Sequence, residues 1–161
     1  MPVSSSSLSL SLSLNLDEVD KRILNIILKN SRLSFRQISK AAGISVATAI
    51  NRIKILEKKG VIKKYSTILD YEKSGYDIEV IVEMRISKGK LLDVEKKIAS
   101  HPNVFAVYDH TGQTDATIIA RFKNRRAMDT FVKKIQTYDF VERTETRLIL
   151  NTIKEEPQLL S

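Results

Sequence analysis

The chain has 161 residues, enough for two small domains, with 27 Lys and Arg against 19 Asp and Glu. It has no cysteine, which excludes disulfides and thiolate metal sites, and no stretch approaches the roughly 20 apolar residues of a membrane span. The charge is divided unevenly, since residues 17–70 have a net charge of +7 and residues 71–161 have +1. This division favours a phosphate-binding domain joined to a nearly neutral one.

Residues 1–15 form a low-complexity segment in which Leu and Ser alternate. The segment lacks the basic start and the uninterrupted apolar core of a signal peptide. Alternation fits an edge strand, whereas the composition fits a disordered tail or a wrongly chosen start codon. We expect a disordered tail and assign it no function.

Periodicity and caps predict three helices within residues 16–62. The first begins at Asp17, whose carboxylate suits a helix N-cap, and its apolar face continues to about Asn30. The second begins at Ser34, and Gln37 stands where a capping box requires Glu or Gln. Three short helices in this order predict a helix-turn-helix domain.

The third helix follows a tight turn at Gly43, begins at Ser45 and stops at Gly60. Its inner arc is apolar and is expected to pack on the first two helices through Val46, Ala49, Ile53 and Leu56. Its outer arc has small and polar residues near the start and basic residues further along, which suits entry into the major groove. The predicted DNA-binding residues are Ser45, Ala47, Thr48, Asn51, Arg52, Lys54 and Lys58.

The side chains of this outer arc suggest different roles. Asn51 can contact adenine through two hydrogen bonds, and Thr48 can hydrogen-bond a base or touch a thymine methyl. The basic residues are better placed for phosphates, which set affinity rather than sequence preference. A solvated helix face is the alternative for an isolated run of charge. The caps, the turn and the uneven charge together favour double-stranded DNA as partner.

Residues 63–77 are expected to form the wing and the linker, with a strand over Val61–Leu69 and a turn at Gly75. From 78 to 155 the pattern is strand, helix, strand, strand, helix, strand, which predicts a ferredoxin-like βαββαβ plait. Residues 156–161 are a short C-terminal tail. The predicted fold class is therefore α+β, with a winged helix-turn-helix before the plait.

Two helices can cover only one face of the four-stranded sheet in such a plait. The other face is expected to present an apolar patch of Ile81, Val107, Ile119 and Ile149. An uncovered apolar patch predicts association. A symmetric dimer through the sheets would bury it and bring two helix-turn-helix units to one duplex.

Certain residues occur in a specific order and spacing along the chain. They are Leu16, Asp17, Asp20, Ile23, Leu24, Arg32, Ile44, Ser45, Arg52, Ile53, Leu56, Glu57, Gly60, Val61, Ile62, Thr111, Gly112, Gln113, Thr114, Asp115 and Thr146. Each is weak evidence alone, but in this order and spacing they are highly specific. Through them the sequence resembles the Lrp/AsnC, or feast/famine, family of transcription regulators over about Leu16 to Glu155. Many relatives have Arg where this chain has Asn51, so their DNA sequence preference cannot be transferred.

The resemblance implies a small amino-acid effector and assembly of dimers into octamers or other rings. The implied effector-binding residues are Thr111, Gly112, Gln113, Thr114, Asp115 and Thr146. Asp115 could pair with the α-ammonium group, while backbone N–H groups around Gly112 receive the carboxylate. Gly112 would also permit a close backbone approach. Some relatives have no effector, and residues 110–115 alone would form an ordinary polar hairpin turn.

Catalysis has little support in the sequence, which contains no nucleophile elbow, Walker loop or paired histidines at metal-ligand spacing. We expect a cytoplasmic protein that is not an enzyme and has no metal and no cofactor apart from the amino-acid effector. Siroheme decarboxylases resemble this family in fold and are one alternative. A ligand-sensing module that acts without DNA is another. The charge of +7 on residues 17–70 argues against both.

Overall fold

The structure, a computed structural model, describes residues 15–87 and 91–161. The expected N-terminal tail lies outside them except for its last residue, Asn15. The chain forms two compact units, one of residues 15–67 with Glu156–Ser161 and the other of Ile68–Glu155. No helix in the described ranges is long and apolar enough to cross a membrane.

The first unit is built from three helices, and local capping explains where they begin. They are α1 (Glu18–Lys29), α2 (Phe35–Ala42) and α3 (Val46–Lys58). The Asp17 carboxylate accepts hydrogen bonds from the backbone N–H groups of Val19 and Asp20 at the start of α1. Ser34 and Gln37 form the predicted capping box at the start of α2. The predicted helix starts at Asp17 and Ser34 are thus confirmed.

Apolar residues from all three helices form the core of this unit. Its buried cluster consists of Ile23, Ile27, Ile38, Ala42 and Ile53. On α3, Ala49, Ile53 and Leu56 are buried as predicted, but Val46 remains 37% exposed. Because Val46 is the first residue of α3, it lies at the edge of this packing. Gly43 ends α2 with φ +67°, a conformation that favours glycine.

The prediction of a wing strand over Val61–Leu69 is wrong. These residues form no strand, and nowhere in the described ranges does a strand pair with them. The segment starts by folding back on α3, where the Leu56 carbonyl accepts hydrogen bonds from Val61 N and Ile62 N at 2.9 and 3.2 Å. Alternating side chains do not make a strand without a neighbour to complete the hydrogen-bond ladder.

The second unit is the predicted βαββαβ plait. Its elements are β1 (Ile78–Ile86), α4 (Leu91–Ala99), β2 (Val104–Asp109), β3 (Ala116–Phe122), α5 (Arg125–Gln136) and β4 (Val141–Leu148). The strands form an antiparallel sheet in the order β2-β3-β1-β4. Side chains from one sheet face and the two helices form the core, which includes Val80, Val82, Met84, Ile118, Phe122, Ile98 and Ile135. The α+β fold class is confirmed.

The other face of the sheet differs from the predicted apolar patch. Ile81 and Ile119 lie opposite each other on it as expected, but Val107 pairs with Ile118 and packs against the core. Val107 was therefore placed on the wrong face. The irregular pairing of β2 between Val104 and Ala106 explains the error, because one extra residue reverses the alternation. Charged residues occupy much of this face: Glu79, Glu83, Arg85, Arg121, Arg143, Glu145 and Arg147.

Candidate nucleic-acid interface and effector loop

The outer side of α3 carries most of the predicted DNA-binding residues. Side chains at helical spacing form an exposed row, and this row contains Ala47, Thr48, Asn51, Lys54 and Lys58. At its start the Ser45 hydroxyl accepts a hydrogen bond from Thr48 N at 3.0 Å and lies 2.8 Å from the Thr48 hydroxyl oxygen. Ser45 therefore fixes both the start of the helix and the position of Thr48.

Cations in this unit mostly lack acidic partners. Of the 12 Lys and Arg in residues 17–70, all of which the structure describes, only Lys21 and Arg52 form ion pairs. The exposed Lys54, Lys58 and Lys59 in and just after the second half of α3 are among those without one. Unpaired cations on one helix keep their full charge for an anionic partner, and a phosphate backbone is such a partner.

Arg52 has a different environment from the other predicted contacts. Its Nη1 donates to the carboxylates of Asp17 and Asp20, the second at 3.0 Å. Hydrogen bonds from the Asp20 N–H and from Arg52 hold the pKa of Asp17 below its usual value. Bonds to Asp17 and Asp20 raise the pKa of Arg52. The guanidinium group thus joins the start of α1 to α3 within the same unit.

The loop between β2 and β3 contains most of the predicted effector-binding residues. Asp115 holds it against the end of β1, because its N–H donates to Met84 O at 2.8 Å and its Oδ2 accepts from Ile86 N at 2.7 Å. The Asp115 carbonyl accepts from His110 N at 3.1 Å, and this bond closes the loop. His110 Nε2 lies 2.8 Å from the Thr117 hydroxyl oxygen. One Asp115 oxygen therefore has a structural partner already.

Gly112 lies at the tip of this loop with φ +139°, a conformation that L side chains rarely adopt. No heavy atom of the described chain lies within 4 Å of the position that a Cβ would occupy. The backbone angle, not a close approach within this chain, accounts for the glycine. Thr111, Gly112 and Gln113 are exposed, while Thr114 and Asp115 are half-buried. The tip therefore offers backbone N–H groups and polar side chains to solvent.

Two family models match the chain, and together they span both units. A winged helix-turn-helix DNA-binding model matches residues 16–63, and the Lrp/AsnC ligand binding domain matches residues 79–159. An uncharacterised HTH-type transcriptional regulator from Pyrococcus abyssi is 43% identical over 144 residues, which are 89% of this chain and 98% of that protein. The chain belongs to the Lrp/AsnC family.

Relatives and solved structures agree with this assignment. The HTH-type transcriptional regulator FL11 of Pyrococcus furiosus is 33% identical, over 89% of this chain and 95% of its own. A transcriptional regulator from Neisseria meningitidis, solved in complex with L-Met, superposes with a TM-score of 0.83 at 25% identity, over 91% of this chain and 96% of its own. The B. subtilis LrpC structure has a TM-score of 0.80 at 26% identity, over 89% and 100%. The chain is a DNA-binding transcription regulator of this family with a ligand-binding domain.

Thr146 is the predicted effector residue that lies apart from the loop in this Lrp/AsnC protein. It is exposed on β4, opposite Val82, whereas Asp115 bonds the end of β1 at Met84 and Ile86. Because β1 lies between β3 and β4, Thr146 is two strands away from the start of β3. One chain of this regulator does not bring Thr146 beside the loop.

A buried arginine in the ligand-binding domain was missed by sequence reasoning. Arg121 Nε donates to Glu79 at 2.6 Å, and its Nη2 donates to Glu155 at 3.1 and 3.2 Å. The rings of Tyr71 and Phe105 lie 4.3 and 3.9 Å from its guanidinium carbon. These four partners come from four separate places in the sequence, so no local pattern predicts the contacts. A cavity of about 490 Å³ beside Arg121 lies at the opposite end of β1 from the loop.

Proposed function

We propose that this regulator reads a specific DNA sequence and that a small amino acid modulates its DNA binding or its assembly. The observation that carries the proposal is the exposed row on α3, which places Asn51 between small residues and unpaired lysines. A base-reading amide beside cations is the combination that a helix in the major groove needs.

Within the row, Asn51 and Thr48 are proposed to read bases. Lys54 and Lys58 are proposed to neutralise phosphates on either side of the groove, because both are exposed and have no ion pair in the described chain. Ser45 and Ala47 lie where α3 begins, and their small side chains allow the helix end to approach the base pairs. Ser45 already caps the helix, so its role is proposed to be positional.

The loop of Thr111, Gly112, Gln113, Thr114 and Asp115 is proposed as part of the effector site. Support comes from the matched ligand-binding domain and from the relative solved with L-Met. One Asp115 oxygen holds Ile86 N, while the other has no hydrogen-bond partner among the described residues and can pair with an α-ammonium group. Exposed N–H groups around Gly112 can receive the α-carboxylate.

The open face of the sheet is proposed to pair with a second copy of the chain. Ile81 and Ile119 supply an apolar centre, and charges of both signs surround it. Arg147 and Glu83, joined at 3.0 Å, are one such pair. A two-fold axis through this face would set the same patch of both copies against each other. Further assembly into octamers could bring Thr146 of one copy to the loop of another. The matched DNA-binding domain supports the proposal that the protein is cytoplasmic.

Fluorescence anisotropy tests the proposal with two labelled duplexes of equal length. One is the DNA upstream of the protein's own gene and the other has a shuffled sequence. We expect tighter binding to the upstream DNA, and a change in that affinity when individual amino acids are added. Equal binding to both duplexes would contradict sequence reading. Affinities unchanged by any of the 20 amino acids, with assembly also unchanged in sedimentation, would contradict the effector.

A further inference from the structure

Arg52 is the arginine of α3, and its guanidinium group is directed into its own domain. Its side chain is 33% exposed, and Nη1 bonds the carboxylates of Asp17 and Asp20. Asp20 is itself only 14% exposed, so this pair lies partly out of solvent. The three neighbouring lysines on or after α3 have no such partner in the part of the chain that the structure describes.

Asp17 uses its two carboxylate oxygens for two purposes. Oδ1 accepts from Val19 N at 2.9 Å and from Asp20 N at 2.8 Å, which caps α1. Oδ2 accepts from Arg52. One side chain therefore fixes the start of α1 and holds α3 to it. The forked guanidinium group is suited to such a link because its donors have a fixed geometry.

We propose that Arg52 is a positioning residue that sets the rotation of α3, and hence the aim of Asn51, and that it does not contact phosphate. The inference rests on the proposed function, since it specifies how the base-reading face is held. Ile53 on the next position is buried at 2% exposure and anchors the inner side of α3. Arg52 holds the adjacent side of α3, so the side chain of Asn51, immediately before it, projects from the domain in a defined direction.

Two carboxylates already neutralise Arg52, so a phosphate would have to displace them. A two-hydrogen-bond contact between Asn51 and adenine weakens steeply when its angles change, so a small rotation of α3 is enough to lose it. Loss of the Arg52 link should therefore lower sequence discrimination and leave the general attraction to DNA nearly unchanged. Loss of a phosphate contact would have the reverse effect.

Asp20→Asn separates these two roles because they predict different results. The substitution removes one carboxylate partner of Arg52 and raises the net charge by one. If Arg52 positions α3, the ratio of affinities for upstream and shuffled DNA falls about five- to tenfold, the lower part of the range for one lost base contact. If Arg52 binds phosphate, the ratio stays unchanged, because the freed guanidinium group and the added charge tighten binding to both duplexes equally.

Arg52→Lys and Lys54→Ala complete the test in the full-length protein. Arg52→Lys keeps the charge but cannot hold both carboxylates in the same geometry, so it should lower the ratio while leaving the salt dependence unchanged. Lys54→Ala is the matched control. It should weaken binding to both duplexes and reduce the slope of log K against log salt by about 0.9. A thermal melt of each variant shows that its helix-turn-helix unit is folded. If one of these variants is unfolded, Arg52→Gln takes its place in the test.

The outcomes separate this inference from the proposed function. A wild-type protein that does not discriminate the duplexes would overturn sequence reading, and the role of Arg52 with it. If the wild type discriminates and Asp20→Asn leaves the ratio of affinities unchanged, the positioning role alone is overturned. A salt slope reduced by about 0.9 in Arg52→Ala would also overturn it, since that is the loss expected for one phosphate contact.

Discussion

The helix-turn-helix unit and the plait of this chain differ in how their cations are balanced. Residues 17–70 have 12 Lys and Arg against 5 Asp and Glu, and only Lys21 and Arg52 form ion pairs within the described chain. Residues 71–161 have 15 against 14, and Arg121, Arg147 and Lys133 are paired with carboxylates of the plait itself. Paired charges hold a structure together locally and give little field at a distance. Unpaired ones repel each other but attract an anion. The comparison assigns DNA binding to one unit and self-contained structure to the other.

The largest expected effect is on the stability of the first unit, whose unpaired cations contribute little and whose apolar core holds the helices together. Ile53→Ala removes a fully packed side chain beneath α3 and should lower the free energy of unfolding by about 3 kcal/mol. Ile55→Ala on the same helix is the control, because Ile55 is 39% exposed. Urea unfolding monitored by circular dichroism measures both. Equal losses in the two variants would show that the apolar core is not what holds α3.

The stability of the plait should depend on a buried ion pair more than the stability of the first unit does. Arg121→Met leaves Glu79 without its partner and should destabilise the plait by about 2 kcal/mol. Combining it with Glu79→Met should recover most of the loss, since both charges are then removed together. Arg147→Met, on an exposed pair, should change stability much less. A double variant as unstable as Arg121→Met would argue against this pairing.

The effector loop offers a test within the neutral unit. The amide oxygen of Asp115→Asn can still accept the Ile86 N–H, so the loop stays closed, but the charge for an ammonium group is lost. Amino-acid binding should weaken about thirtyfold, equivalent to about 2 kcal/mol for a charged hydrogen bond. Titration calorimetry with the amino acid found to act on DNA binding measures it. Unchanged affinity would show that Asp115 is not part of the effector site. The same titration with Gln113→Ala tests separately whether the loop tip contributes to binding.

On the DNA-binding unit, Asn51→Ala should reduce discrimination between upstream and shuffled DNA by about 1.5 kcal/mol, as expected for one base contact. Its net charge does not change, so the salt dependence of binding should stay the same. Anisotropy titrations at two salt concentrations measure both quantities. An equal loss on both duplexes would show that Asn51 does not read bases.

The smallest effect is a dependence on pH in the plait. Burial, and then repulsion from Asp109, raises the pKa of Glu95 above its usual value of 4.5, and its Oε1 is buried without a hydrogen-bond partner in the described chain. A raised acid pKa means that stability is lost as pH rises from 4.5 through the folded value. Glu95→Gln should therefore increase Tm at pH 7 but not at pH 4. The exposed Glu72→Gln is the control.

The local features of this fold were predictable from the sequence, and the non-local ones were not. The caps at Ser34 and Ser45 depend on residues three positions apart, so they are visible in the chain. The Arg52 link to Asp17 spans 35 positions, and nothing nearby in the sequence reports it. From the sequence, Asp17 was predicted only as a helix cap. The structure confirms that role and adds the contact with Arg52.

Strand errors have the same origin. The faces of β1 were predicted correctly because every second residue from Ile78 to Ile86 is apolar. Val107 was misplaced because an irregular pairing in β2 shifts the alternation, and only the neighbouring strand reveals it. The segment after Gly60 mixes apolar and polar residues in a way that suggested a strand, yet it has no pairing partner in the described chain. The DNA-binding and effector roles of individual side chains stay predictions until they are measured.

The measurement that tests the division of charge most directly is the salt dependence of DNA binding in two double variants. Lys54→Ala with Lys58→Ala removes two unpaired cations, and Lys73→Ala with Lys133→Ala removes two paired ones from the second unit. The slope of log K against log salt should fall by about 1.8 in the first and stay unchanged in the second. Equal slope changes in the two variants would contradict the assignment of DNA binding to the unpaired cations of α3.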